Sequence, residues 1–193
     1  GVSAWNEFFA KKHWLQHTEE GYYNALEMRA NHIEKFTSYP KIESDENDME
    51  KVLKQRIKEV AEKPFNDISY YASEVLIKPS DYYIVCNCLS KTYNYRHIRS
   101  SVHFQPAKPF ELKEVLSRFP DDKIVVLYSE TGHESAFTAA YLRVFGYDAR
   151  TLLYGANGFM YGKIPKSSGE KNTFNAENYI MNYPFESKQK ADL

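Results

Sequence analysis

Five consecutive apolar residues, Ile124-Val125-Val126-Leu127-Tyr128, run into the short polar loop Ser129-Glu130-Thr131-Gly132, and the chain continues at once into a helical pattern. An uninterrupted β-branched run without polar alternation is what a strand covered on both faces requires. After it, Ala136, Phe137, Ala140, Tyr141, Val144 and Phe145 mark one face of a helix, and Gly146 is suited to close it in the left-handed conformation. A buried strand that feeds a helix must return to its sheet by a crossover, which makes its neighbours parallel. The same apolar character recurs at Tyr83 to Cys86 and at Thr151 to Leu153, with a shorter helical stripe, Leu112, Val115, Leu116 and Phe119, ahead of Pro120. This alternation predicts an α/β fold: a parallel sheet with helices on both faces.

The first third of the chain is different. Trp5, Phe8, Phe9 and Leu15 suggest one amphipathic helix, and Tyr22, Leu26, Ala30, Ile33 and Phe36 a second that ends at Pro40. A third begins with an acidic turn at Asp45, carries Met49, Val52, Leu53, Ile57, Val60 and Ala61, and stops before Pro64. The expected organisation is an N-terminal helical extension over residues 1–64, an α/β domain over 65–162, and a C-terminal segment over 163–193. In that last segment Tyr179-Ile180-Met181 and Tyr183-Pro184-Phe185 should pack back on the domain and the final eight residues should be disordered.

Charge excludes some partners. With 25 basic and 26 acidic residues the formal net charge is -1, which gives no footprint for nucleic acid or an anionic membrane surface. No apolar run approaches the roughly 20 residues of a membrane-spanning helix. The 16 tyrosines and 12 phenylalanines are read as amphipathic packing. A chain that begins at Gly1 without a methionine fits one trimmed behind an export signal, with a periplasmic destination, or behind a tag, with a cytoplasmic one. Cys86 and Cys88 are the chain's two cysteines, and at i and i+2 of a strand they are poorly placed to bridge, so they are expected to be unpaired and buried. With His97, His103 and His133 they could be imagined around a metal, but a lone C-x-C is too weak a ligand set; no metal and no cofactor is expected.

The loop after Tyr128 is the candidate site. Its N–H groups and the start of the following helix converge on position 129 and favour negative charge there, so Ser129 sits in an expected anion cradle lined by Glu130, Thr131, Gly132, His133, Glu134 and Ser135. A thiol in that position would be acidified and nucleophilic. For serine the plainer reading is that Ser129 and Thr131 satisfy loop N–H groups, with Thr131 and Glu134 forming a capping box. A serine-hydrolase elbow needs flanking glycines that Leu127-Tyr128-Ser129-Glu130-Thr131 lacks.

These residues resemble the rhodanese family, whose strand ends in a pattern like V-x-Y-C-x-T-G-x-x-S before a helix closing in L-x-x-x-G-Y-D. Here the chain reads Tyr128-Ser129-Glu130-Thr131-Gly132, then Ser135, then Leu142 through Gly146-Tyr147-Asp148. Tyr82-Tyr83-Ile84-Val85 matches the family's first strand, Tyr93 and His97-Ile98 its Y-x-x-x-H-I element, and Gly155-Ala156-Asn157-Gly158-Phe159 its G-G-x-x-x-W element. The resemblance covers about half the chain and leaves the N-terminal helices outside it.

The resemblance implies a sulfurtransferase fold in which Ser129 stands at the position of the persulfide-carrying cysteine. The departures extend further. Cys86-Asn87-Cys88 occupies the family's D-x-R, so the arginine and its carboxylate are both replaced, and Phe159 takes the place of the tryptophan. Related phosphatases end their longer loop in an arginine, where this chain has Glu134 and Ser135. The implied function is a catalytically inactive binding or regulatory module for a protein or a small anionic or sulfur ligand. One alternative is a sulfurtransferase whose cysteine at 129 was replaced by serine; another is a structural protein acting through its N-terminal helices.

Overall fold

The structure is a computed structural model that describes residues 3–16, 24–105, 112–164 and 173–184. Its centre is a five-stranded, wholly parallel sheet of β1 (Ser69–Tyr70), β2 (Tyr83–Cys86), β3 (Val102–His103), β4 (Val125–Tyr128) and β5 (Ala149–Leu152), in the spatial order β1-β5-β4-β2-β3. The apolar runs occupy the interior of this order because only there are both faces covered. Along β4, Val126 and Tyr128 enter one core with Ile84, Cys86 and Leu152, while Val125 and Leu127 enter the opposite core with Val85, Ala149 and Leu142. The expected α/β architecture is therefore present, with apolar cores on both sides of the sheet.

The helices are α1 (Glu7–Phe9, continuing as a π-helix over Ala10–Trp14), α2 (Met49–Ala61), α3 (Ala72–Leu76), α4 (Ser90–Tyr95), α5 (Leu112–Leu116), α6 (His133–Val144), α7 (Asn157–Met160) and α8 (Ala176–Tyr179). Ala139 and Leu142 of α6 meet Val115 and Phe119 in one core, and residues of α3, α4 and α7 supply the other. The end of α6 follows its sequence signal. Gly146, at φ +92°, donates to Arg143 O at 3.0 Å, and Tyr147 N–H reaches Leu142 O at 3.2 Å, the paired closure of a Schellman motif.

The second expected helix does not form. Residues 28–48 run without helix, and just before them Leu26 and Glu27 pair antiparallel with Ile98 and His97. Leu26, Ile33 and Phe36 have helical spacing, but they do not share one face: Leu26 and Ile33 belong to opposite cores, and Phe36 meets Tyr83, on the side of Ile33, edge-on at 5.6 Å. An extended chain reaches these separated sites and one helix face does not, so tertiary contacts override the periodicity. Tyr22 lies outside the described residues.

The third helix is real but starts later than expected, at Asp48, whose carboxylate accepts from Glu50 N–H at 2.9 Å. Its apolar stripe is largely uncovered, with Met49, Leu53 and Ile57 exposed among the described residues. What docks it is polar. Arg56 Nε donates to Val144 O at 3.2 Å, at the end of α6, and Arg56 Nη2 adds a second donor, at 2.8 Å, to the Arg143 carbonyl that Gly146 N–H already bonds. At the other terminus Ala4 N–H donates to Tyr179 O at 2.7 Å and Met181 N–H to Ala4 O at 2.9 Å, so the C-terminal segment returns to the N-terminal one. Phe185 and the last eight residues lie outside the described residues.

Candidate functional site

Strand β4 delivers Ser129 to the carboxyl end of the sheet, and the loop turns within three residues into α6. Gly132 makes that turn possible at φ +84°, a backbone conformation that costs glycine nothing. The Ser129 hydroxyl accepts from Gly132 N–H at 3.1 Å and from Ser135 N–H at 3.4 Å, and the Ser135 hydroxyl lies 3.4 Å from it. Ser135 Oγ in turn donates to Gly132 O at 3.0 Å and stands 2.8 Å from Thr151 Oγ1. Ser129 is 1% exposed. The donors expected to converge on position 129 do converge there, and the residue's own oxygen fills the place they point to.

The other loop residues divide. Glu130, 2% exposed, turns its carboxylate inward to accept from Leu89 N–H at 2.9 Å and Thr92 Oγ1 at 2.7 Å, at the start of α4. A buried carboxylate needs such partners, and these hold it away from the Ser129 hydroxyl. Thr131 contacts His133, Nδ1 to Oγ1 at 3.1 Å, and His133 and Glu134 are exposed on the rim. The expected capping box is absent: the residue before α6 is Gly132 and no side chain caps it from there, because Ser129 reaches the Ser135 N–H instead.

Burial holds the His133 imidazole below its ordinary value, and burial together with the Glu130 carboxylate raises Glu134. A carboxyl raised in the folded state contributes stability that is present below its unfolded pKa and lost as pH rises through the folded value. Glu134→Gln is therefore expected to unfold at a higher temperature than the parent near neutral pH and at the same temperature well below about pH 4.3, the unperturbed glutamate value. Thermal melts at the two pH values check this; a Glu134→Gln protein that is less stable at neutral pH would contradict it.

Cys86 and Cys88 are joined by a disulfide, which corrects the expectation that they are unpaired. The strand-geometry objection fails because β2 ends at Cys86. In a continuous strand Cα(i) and Cα(i+2) are about 6.6 Å apart, near the long limit for a disulfide, whereas the bend that follows β2 brings these Cα atoms to 5.3 Å, close to the usual spacing. Asn87 is locked by its own bonds, Nδ2 to Phe104 O at 3.2 Å and Oδ1 from Thr138 Oγ1 at 2.7 Å, and Cys88 O faces His103 Nε2 at 2.8 Å. Among the described residues no group of three or more metal-ligating side chains converges. His97 is buried against the Tyr93 ring at 3.8 Å, with its nitrogens on Tyr93 O and Arg29 O.

Residues not singled out as site residues complete the site. Ala156 N–H donates to Ser129 O at 2.8 Å and Asn157 N–H to Glu130 O at 3.1 Å, so the segment after β5 clamps the loop carbonyls. Asn157 Nδ2 also reaches Glu130 O, and Asn157 Oδ1 accepts from Phe174 N–H at 3.1 Å. The signal for them was the Gly155 to Phe159 motif, which shows that a turn exists but not what it touches. Beside Thr131, Gly132 and His133, Trp14, Phe65, Leu153 and Tyr154 wall an apolar cleft of about 330 Å³.

A parallel α/β sheet with a loop at the carboxyl end of a central strand, its Gly132 and Ser135 N–H groups turned to the side chain of Ser129, defines the class. Residues 77–160 match the family model described as Rhodanese-like domain. No curated protein matches the chain. No helix among the described residues is long and apolar enough to cross a membrane.

Proposed function

We propose that the rhodanese-like domain acts as a binding or regulatory module and does not carry sulfur. The observation that supports this best is the hydroxyl of Ser129, which takes up the Gly132 and Ser135 N–H donors that would otherwise stabilise a bound anion or a thiolate. Oxygen is no substitute for sulfur as a persulfide carrier. The chain's two cysteines are occupied with each other, and they stand where the family resemblance places an arginine and its carboxylate. A disulfide is at home in an oxidising compartment, in keeping with an exported protein. The apolar cleft beside Thr131 to His133 offers a ligand or a partner's side chain a place next to the loop.

The expected result is no thiosulfate:cyanide sulfurtransferase turnover above the uncatalysed rate. Turnover that persists in the Cys86→Ala, Cys88→Ala double variant would refute the proposal. The second reading, a sulfurtransferase whose cysteine at 129 was replaced, is favoured by one observation: both N–H donors aim at the side chain of 129, as a thiolate would require.

A further inference from the structure

At the opposite end of the sheet from Ser129, a cavity of about 740 Å³ opens between α2, the Asn66-Asp67 turn, the end of α6 and the start of β5. Its volume falls within the range of small-molecule sites. Four cationic side chains line it, Arg56, Lys63, Arg143 and Arg150, against three carboxylates, Glu59, Asp67 and Asp148. Two of the cations are already neutralised. Arg150 pairs with Asp148 through Nε at 3.1 Å and Nη2 at 3.2 Å, and Arg56 Nη1 pairs with Glu59 while its other nitrogens cap the α6 carbonyls.

The remaining two are less fully paired. Lys63 closes no ion pair with a described residue, although its charge acts on Glu59. Arg143 Nη1 donates to Ala149 O at 3.2 Å and shares the Asp148 carboxylate with Arg150, at 3.6 Å from Oδ1. Because one carboxylate, Asp148, serves both Arg143 and Arg150, the cations lining the cavity outnumber its carboxylates by one, and an oxygen acceptor bearing negative charge balances them. Burial, with Arg150 and Arg56 close by, also pulls the Arg143 guanidinium below its usual range despite Asp148 and Asp67. Asp67 opposes an anion, and α6 would oppose it too through its terminal carbonyls had Arg56 not taken them.

We infer that this cavity binds a small molecule through a tetrahedral oxyanion, phosphate or sulfate, gripped by Arg143 and Lys63. Guanidinium and ammonium groups meet such oxyanions with short charge-assisted bonds. The site is separate from Ser129 and goes beyond the proposed function.

Isothermal titration calorimetry of the full chain with sodium phosphate, sodium sulfate and pyrophosphate, at ionic strength held constant with chloride, tests it. Saturable binding of at least one probe is expected, weakened about tenfold by Lys63→Gln and by Arg143→Lys, the loss of one charge-assisted bond in each case. The phosphate and sulfate arms identify which oxyanion fits, and a tighter pyrophosphate arm points to a ligand with a second charged group. Lys63 is exposed at the end of α2, so Lys63→Gln keeps the test valid even if Arg143 substitutions unfold the protein. No saturable binding with any probe, or binding that Lys63→Gln leaves within about twofold, overturns the inference and assigns the cavity to solvent.

Discussion

Ser129→Cys is expected to give a thiol that titrates below the reference value of about 8.5. Gly132 N–H and Ser135 N–H would touch the sulfur directly, and the start of the 12-residue helix α6 lies behind them. Three effects oppose this. Burial disfavours a thiolate at a site as enclosed as that of Ser129, Glu134 stands on the rim, and the Glu130 carboxylate, although it accepts from Leu89 N–H and Thr92 Oγ1, still acts on its neighbours in the loop. Direct donors outweigh a solvent-screened rim charge, so the net shift is downward. Titration by thiolate absorbance checks it, and adding Glu134→Gln should lower the value further. Sulfur transfer from thiosulfate should remain slow, because the disulfide-bonded Cys88 stands where an arginine would meet the dianion. A thiol titrating at or above the reference value would mean that the loop is no anion cradle.

Gly155→Ala should be the most destabilising conservative change in the site. Gly155 has φ +55°, and a Cβ there would lie 2.1 Å from Ser129 O, 2.5 Å from Gly132 N and 2.9 Å from Glu130 O. The left-handed conformation alone costs a non-glycine residue about 1 kcal/mol. The larger cost is steric, since all three atoms are backbone and the Ala156 and Asn157 N–H bonds hold the loop in place. A total loss of roughly 3 kcal/mol or more is expected from strain at a special backbone position combined with a displaced loop. Urea unfolding measures it. A loss below about 1 kcal/mol would mean that the loop yields freely, and the rigid cradle assumed for Ser129→Cys would be lost with it.

The two predictions are linked through one contact that has no trace in the linear chain. Ser129 and Gly155 are 26 residues apart, and each belongs to a recognisable local motif. What makes Gly155 indispensable is the parallel register of β4 and β5, Leu127 beside Thr151, which brings the turn after one strand against the loop after the other. Stability of the turn and acidity of the site are thus properties of the same junction.

The α/β class, strand β2, the positions of β4 and β5 to within two residues, helix α6 with its Gly146 closure, and the rhodanese-like resemblance were all determined by the sequence. Each rests on neighbours along the chain: β-branched runs, helical spacing, a glycine with φ above zero. Tertiary structure alone decided the rest. Residues 28–48 have no helix because Leu26 and Ile33 serve opposite cores, with Phe36 on the side of Ile33. Cys86 and Cys88 are joined because β2 ends between them and the bend that follows it shortens their separation. Glu130 faces inward because the start of α4 offers it donors, and the Ser129 hydroxyl takes up the loop donors because the first turn of α6 places Ser135 within reach. Local pattern is set by backbone sterics and hydrophobic period, whereas the direction of a buried polar group is set by whichever donor the fold brings to it, and that partner is usually distant in sequence.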